Sequence, residues 1–265
     1  MKMIRSALIG HSGFVGSTLL RQTQFGSLYR SSNVHDIAGR NFDIVVCAGA
    51  PAQKWVANSN PEADLQNIDS LIKSLRQVTC RKFILVSTVD VFRTPVAVDE
   101  TTPVDEEGLH AYGANRRKLE KFVEGCFPEH LIVRLPGLIG PGLRKNVIFD
   151  LLNDNNLAAV DSRAIFQFYP MVNFWYDVST ALAADLRLVH FTAEPIAVRD
   201  VARYGFGKSL EHCLNASPAQ YDMRSVHANI FGAAGAYQYN ARETLQAIRA
   251  YAQSESRTLP RMSGA

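Results

Sequence analysis

The feature that most constrains this chain is GHSGFVG at residues 10–16, three glycines at regular spacing. It lies directly between an apolar run at 3–9, which reads as a strand, and an amphipathic stretch at 13–22, which reads as a helix. Glycine at such a junction permits a tight turn and close approach of a pyrophosphate, whose charge the helix N-terminus stabilises. The spacing is G-x-x-G-x-x-G and not the commoner G-x-G-x-x-G, and glycine loops also serve ordinary turns. The strand–loop–helix context is what points to a dinucleotide. Gly10, Ser12, Gly13, Phe14, Val15 and Gly16 are therefore candidate cofactor contacts.

The same alternation continues through the first half. Short strands are expected at 27–30, at 42–48 (FDIVVCA) and at 82–87 (KFILVS); the last two are continuous apolar runs that suit parallel strands covered on both faces. Between them, 61–78 carries Leu65, Ile68, Leu71, Ile72, Leu75 and Val78 at helical spacing. A helix at 112–126 and a strand at 130–135 follow. Alternating β and α predicts an α/β fold, a doubly wound parallel sheet of the Rossmann type, over residues 1–136. PGLIGPG at 136–142 is a turn-rich boundary. Beyond it, helices are expected at 147–153, at 174–189, from 195 to 204 and at 241–252. Residues 137–170 and 201–255 are expected to form a smaller substrate-binding portion, with 171–200 returning to the sheet and 256–265 a frayed tail.

Composition narrows the function classes. With 265 residues, 47% of them hydrophobic, the chain can bury a sizeable core. Twenty-eight basic against 25 acidic residues give +3, too weak and too evenly spread to argue for nucleic acid or a membrane surface. Cys47, Cys80, Cys126 and Cys213 lie far apart, which fits buried thiols in a reducing compartment better than disulfides or a metal site. No stretch has the length of a membrane span, and the N-terminal apolar run is broken at once by glycines, so a cytoplasmic location is the expectation.

HAYGANRRKLEKF at 110–122 places a tyrosine and an arginine one helical turn apart, Tyr112 and Arg116. Lys118, two residues on, lies about 200° around the helix from Arg116 and cannot share a face with Tyr112. A free phenol titrates near ~10, and a fixed positive charge nearby favours phenolate, making tyrosine a usable acid or base. Arg116 is expected to supply that charge, although arginine does not readily surrender a proton. The end of the second strand, LYRSSN, offers Arg30 and Ser31 and no carboxylate. This favours the 2′-phosphate of NADP over the free 2′-hydroxyl of NAD, with NAD the alternative.

Together these segments resemble the extended short-chain dehydrogenase/reductase family, which contains nucleotide-sugar epimerases, dehydratases and reductases. GHSGFVG resembles its glycine loop, and DIVVCAGA the strand end that lines the cofactor, which implies contacts from Ala48, Gly49 and Ala50. Asn67 falls where the family has an asparagine, LVSTVDVF puts Thr88 at the catalytic hydroxyl, and IVRLPGLIGPG puts Pro136 against the nicotinamide. AYGANRRKLEKF is similar to the Y-G-x-x-K helix, with Tyr112, Gly113 and Glu120 in register, so that Arg116 occupies the lysine position. On that reading Arg116→Lys would restore both charge and proton relay.

The resemblance implies an NAD(P)-dependent oxidoreductase or epimerase acting on a sugar or nucleotide-sugar carbonyl. Thr88, Tyr112 and Arg116 would be its catalytic residues, and Asn146, Gln167 and Tyr169 would touch substrate. Dimers through two helices are common in the family, so a homodimer is one expectation. The replaced lysine keeps a second reading open, a non-catalytic NADP-binding sensor or scaffold. Thr88 alone is an ordinary strand residue and Tyr112 alone an aromatic at a helix start; their order behind the glycine loop is what favours the enzyme.

Overall fold

The computed structural model describes residues 4–214 and 217–258. Residue 3 of the expected first strand and residues 259–265 of the expected tail lie outside the described residues. Six strands form one parallel sheet: β1 (Ser6–Ile9), β2 (Ser27–Tyr29), β3 (Asn41–Cys47), β4 (Thr79–Thr88), then His130–Leu135 and Leu188–His190. Across the sheet the order is Leu188–His190, His130–Leu135, β4, β3, β1, β2. From β1 the chain steps one way to β2 and then the other way to β3. The C-terminal ends of β1 and β3 therefore bound a switch point, where open α/β sheets form their ligand crevice.

Alternation along the strands gives each face its own core. Ala7, Ile9, Val45, Cys47, Phe83, Leu85 and Ile132 pack beneath α3 (Pro61–Leu75) and α4 (Ala111–Cys126), against Ile68, Leu71, Ile72, Leu75, Leu119 and Val123. Leu8, Val46, Ile84, Leu131 and Val133 face the opposite way, toward Leu19 of α1 (Phe14–Gln22) and Phe174, Val178 and Ala181 of α6 (Phe174–Ala183). A separate core gathers Ile139, Leu143, Ile148, Leu151, Val198, Val201, Ile248 and Tyr251, joining α5 (Val147–Asn153) to the last helix, Ala241–Ser254.

Three expectations need correction. The helix expected to run to residue 189 stops at Ala183; the chain turns through Asp185 at φ 52°, and Leu188–His190 becomes the sixth strand, paired with Ile132–Arg134. An apolar Leu-Val pair suits either element, and here Val189 fills the sheet core. The helix expected over 195–204 is instead a strand pair, Ile196–Ala197 on Ile165–Phe166, followed by one α-turn and a π-helix at Val201–Gly205. Leu65, expected on the buried stripe of α3, is exposed, and that face is occupied one residue earlier by Asp64.

A buried ionic cluster anchors α4 to the sheet. Glu120 accepts hydrogen bonds from Ser87 Oγ at 2.6 Å, from Arg134 Nε and Nη2 at 3.0 and 2.8 Å, and from Arg117 Nη1 at 2.9 Å. Burial alone would raise the Glu120 carboxyl, but these donors hold it below its ordinary value. Gly113 is required at the same contact, because a Cβ there would fall on the Asp90 carbonyl oxygen. The N-terminal turn of α4 is thus pressed onto the segment that follows β4.

Candidate functional site

The C-terminal ends of β1, β3 and β4 and of strand His130–Leu135 lie side by side and bring the candidate residues into one row. Gly10 leaves β1 at φ +84°, where a Cβ would fall on the carbonyl oxygen of Ala48 beyond β3. A Cβ on Gly16 would fall on the Gly10 carbonyl oxygen, so α1 can sit this close to the loop only with glycine at both places. Gly13 is the N-cap of α1 and is capped by no side chain; the nearest backbone atom stands 3.4 Å from where its Cβ would be. The loop is therefore a cradle whose shape a side chain would fill, opening on an uncapped helix N-terminus. Those properties fit a pyrophosphate, which demands close backbone approach and N–H donors. Ser12, Phe14 and Val15 belong to this turn, Gly49 and Ala50 follow Ala48, and Pro136 follows Leu135. Arg30 and Ser31 are exposed beyond β2, where Arg30 Nε donates to Ser32 Oγ at 3.0 Å.

Tyr112 lies on the first turn of α4, whose N-cap is His110. His110 Nδ1 accepts the Gly113 N–H at 3.0 Å, and the Tyr112 N–H donates to Asn58 Oδ1 at 3.0 Å, which fixes the helix against α2 (Lys54–Ser59). The Tyr112 side chain faces Thr88, the last residue of β4, which is among the groups that lower its hydroxyl's proton affinity. Thr88 Oγ1 in turn accepts the Asp90 N–H at 3.2 Å and donates to Asp90 Oδ2 at 3.3 Å. The other Asp90 oxygen receives Lys54 Nζ at 2.7 Å and the Tyr221 hydroxyl at 3.1 Å. Lys54 Nζ also donates to Tyr221 at 3.1 Å. Lys145 reaches the same region, donating to the Ala52 carbonyl, and its burial lowers the ammonium's affinity for its proton.

Arg116 is where the sequence placed it but not in the state expected. Its guanidinium carbon lies 3.9 Å from the centroid of the Tyr112 ring, stacked on the face of the phenol. Both terminal nitrogens are committed: they form a forked ion pair with Asp64, and donate to the carbonyls of Pro51 and Tyr112. Asn115 adds a 2.7 Å bond to the same carboxylate. The charge expected to favour phenolate still lowers the Tyr112 hydroxyl, but burial of the phenol outweighs it. The Tyr112 hydroxyl is accordingly shifted above its ordinary value, by burial first and with Asp90 adding to it, against the lowering effects of Arg116, Thr88 and Lys54. Lys118 points away and pairs at the surface with Asp69 at 2.5 Å, as the helical period requires.

The three residues expected to touch substrate do not reach the row of strand ends with free polar atoms. Asn146 is the N-cap of α5 at φ +79°; its side chain accepts from Ile148 N and donates to the Leu138 carbonyl. Gln167 is buried and bonded to Ala193 and Met223. Tyr169 is fully buried, donating to Asp177, which Tyr239 also approaches at 2.9 Å. All three are polar groups satisfied by their own fold. Asn67 is exposed on α3 and lines, with Pro51 and Asp64, the groove between α2 and α3. Lys54, Asp64 and Tyr221 are site residues that the sequence reading missed. Of these only Asp64 leaves a signal, a carboxylate four residues before Ile68 on the buried face of α3.

No family model matches the sequence, and no curated protein matches it. Solved structures do. A UDP-galactose 4-epimerase is 16% identical, with 94% of this chain and 98% of that one covered at a TM-score of 0.72. A dTDP-4-dehydrorhamnose reductase from Bacillus anthracis in complex with NADP is 14% identical, covering 95% and 98% at 0.70. A dTDP-glucose 4,6-dehydratase from the same organism in complex with NAD is 12% identical, covering 96% and 98% at 0.66. The chain has the fold of these nucleotide-sugar enzymes. At such identities the likeness speaks for architecture, and function has to be argued from the site itself. No helix among the described residues is long and apolar enough to cross a membrane.

Proposed function

We propose that this protein is an NAD(P)-dependent oxidoreductase or epimerase of the extended short-chain dehydrogenase/reductase type, acting on a sugar or nucleotide-sugar carbonyl. The observation that carries this reading is a glycine cradle at the sheet's switch point, with Thr88 at the end of β4 and Tyr112 on the first turn of α4 in the same row. Gly10, Ser12, Gly13, Phe14, Val15 and Gly16 would hold the pyrophosphate, Ala48, Gly49, Ala50 and Asn67 would line the dinucleotide, and Pro136 would abut its nicotinamide. When bound, the dinucleotide supplies or accepts the hydride. Arg30 and Ser31, with no carboxylate at that strand end, favour NADP.

Thr88 and Tyr112 would together face the substrate oxygen. A neutral phenol with a raised proton affinity suits the reducing direction, in which Tyr112 donates a proton to a carbonyl oxygen as charge develops there. Similarity to reductases, epimerases and dehydratases supports a nucleotide-linked sugar as substrate. A cytoplasmic enzyme, as monomer or homodimer, is part of the same reading.

One observation favours the alternative, a non-catalytic dinucleotide-binding sensor: Arg116 is spent on Asp64 and stacks on the phenol instead of reaching outward. The readings separate in one assay. Wild type is incubated with NADPH and a panel of ketoses and keto nucleotide sugars, and NADPH absorbance is followed, with Tyr112→Phe as control. Turnover of at least one compound that the variant abolishes is the expected result. Equal background rates for both proteins across the panel would leave the sensor.

A further inference from the structure

We propose that the protein has a second binding site, away from the row of strand ends, that takes a mononucleotide. It is a cavity of about 500 Å³ between the end of α5, the π-helix at Val201–Gly205 and the last helix, Ala241–Ser254. It does not depend on the proposed activity, since the two sites share no residue. Lys145, just before α5, reaches the Ala52 carbonyl in the row, whereas Leu151 and Leu152 on the last turn of that helix line the cavity. A helix of 7 residues rises about 10 Å, so the cavity lies at the opposite end. Its volume is that of a small-ligand pocket.

The π-helix builds one wall. Such helices are rare and occur often at functional sites. A Cβ on Gly205 would stand 2.6 Å from Ile248 Cγ2, so only glycine lets the π-helix lie this close to the last helix. Carbonyls at a helix end lack helical partners, and Arg249 takes one of them, donating from Nε and Nη2 to the Tyr204 carbonyl at 3.2 and 3.0 Å. Gly207 then turns the chain at φ +65°, and Lys208 Nζ returns to the Leu151 carbonyl at 2.5 Å.

The charge around the cavity is uneven. Arg203, Lys208, Arg249 and Arg257 line it against one carboxylate, Glu255, which accepts the Gly142 N–H at 3.1 Å. Asp154, outside the lining, is shared by Lys208 and Arg257. Among the described residues Arg203 has no hydrogen-bond or ion-pair partner, and its guanidinium carbon lies 5.3 Å from the centroid of the Tyr204 ring. Arg249 bonds a carbonyl and no carboxylate. Two guanidiniums are thus left without a counter-charge, and their paired donors match a phosphate. Beside them Tyr204 is 47% exposed and Phe206 half-buried, which offers ring faces on which a base stacks. A bare anion would leave the rings unused, and a neutral sugar would leave the cations unused. A phosphate carrying an aromatic base uses both.

The test is calorimetric titration of the whole chain with AMP and UMP, with inorganic phosphate and adenosine as partial ligands. A nucleotide also has a route into the glycine cradle, so the titrations are made in Gly13→Glu, where that route is closed. Saturable binding of at least one nucleotide is expected there, with phosphate and adenosine each at least tenfold weaker. Arg203→Glu added to that protein should weaken the nucleotide at least tenfold at unchanged melting temperature, because Arg203 is exposed and bonds nothing. Tyr204→Ala should weaken the nucleotide and leave phosphate affinity as it was. Binding of neither nucleotide, or nucleotide affinity unchanged by Arg203→Glu, would overturn the second site. Phosphate bound as tightly as the nucleotides would overturn the mononucleotide assignment. Failure of NADPH binding or of turnover in wild type bears on the cradle and the proposed activity alone.

Discussion

Replacing Arg116 by methionine is expected to destabilise the folded protein by about 3–5 kcal/mol, because it leaves the buried Asp64 carboxylate without its counter-charge. Asp64 and Arg116 are 4% and 3% exposed, so neither can turn to water without opening the α3–α4 interface. Asn115 would remain as a donor, but one neutral amide does not replace a fork. The loss also removes the donor that satisfies the Pro51 carbonyl and the cation stacked on the Tyr112 ring. Urea unfolding should show a lower midpoint at unchanged slope. The double variant Arg116→Met with Asp64→Leu should recover much of the loss, since an apolar pair of similar volume removes the unpaired charge. A double variant as unstable as the single one would show that the ion pair is not the cause. The same geometry reverses the expectation for Arg116→Lys: a single ammonium cannot bridge Asp64 and Pro51 together, so partial destabilisation is expected in place of raised activity.

Tyr112→Phe is expected to separate chemistry from stability in the opposite sense. The change deletes one hydroxyl and keeps the ring that Arg116 covers, so stability should move by no more than about 1.5 kcal/mol. Turnover should fall by roughly 10²–10⁴-fold, the usual weight of a positioned acid/base. Dinucleotide affinity should be unchanged, because no part of the glycine cradle is touched. Melting temperature, NADPH titration and NADPH oxidation on the same preparations check the three statements separately. A variant that loses stability and affinity along with turnover would make Tyr112 a structural residue.

The architecture was legible where one physical signal dominated. FDIVVCA and KFILVS had to be buried on both faces, and they are the centre of the sheet. GHSGFVG declared its turn because only glycine fits against Ala48 and the following helix. Legibility failed where one residue pattern serves two structures. Leu188 and Val189 read as the end of a helix because the run before them is amphipathic, and the left-handed turn at Asp185 has no strong local signature. Gln167 and Tyr169 were expected to touch substrate because the resemblance places substrate contacts in their segment, yet the groups that satisfy them come from distant parts of the chain, Ala193 and Met223 for the one and Asp177 with Tyr239 for the other. The register of α4 placed Arg116 on the tyrosine correctly. What it could not show was Asp64, 52 residues earlier, which turns that cation inward. Lys54 was invisible for a similar reason: α2 has six residues, too few for a periodic pattern, and Asp90 reaches it only through the fold.

The central claim is that the glycine cradle holds a nicotinamide dinucleotide, and the most direct measurement is a titration of the protein with NADPH and NADH followed by nucleotide fluorescence. Gly13→Glu is the informative control. The N-cap of α1 has extended backbone that any residue adopts, and the nearest backbone atom is 3.4 Å from an added Cβ, so the fold should persist while a carboxylate occupies the phosphate position. Saturable binding by wild type, tighter for NADPH than for NADH and lost in Gly13→Glu at unchanged melting temperature, is the predicted result. Absence of binding by the folded wild-type protein, or equal binding by Gly13→Glu, would contradict it.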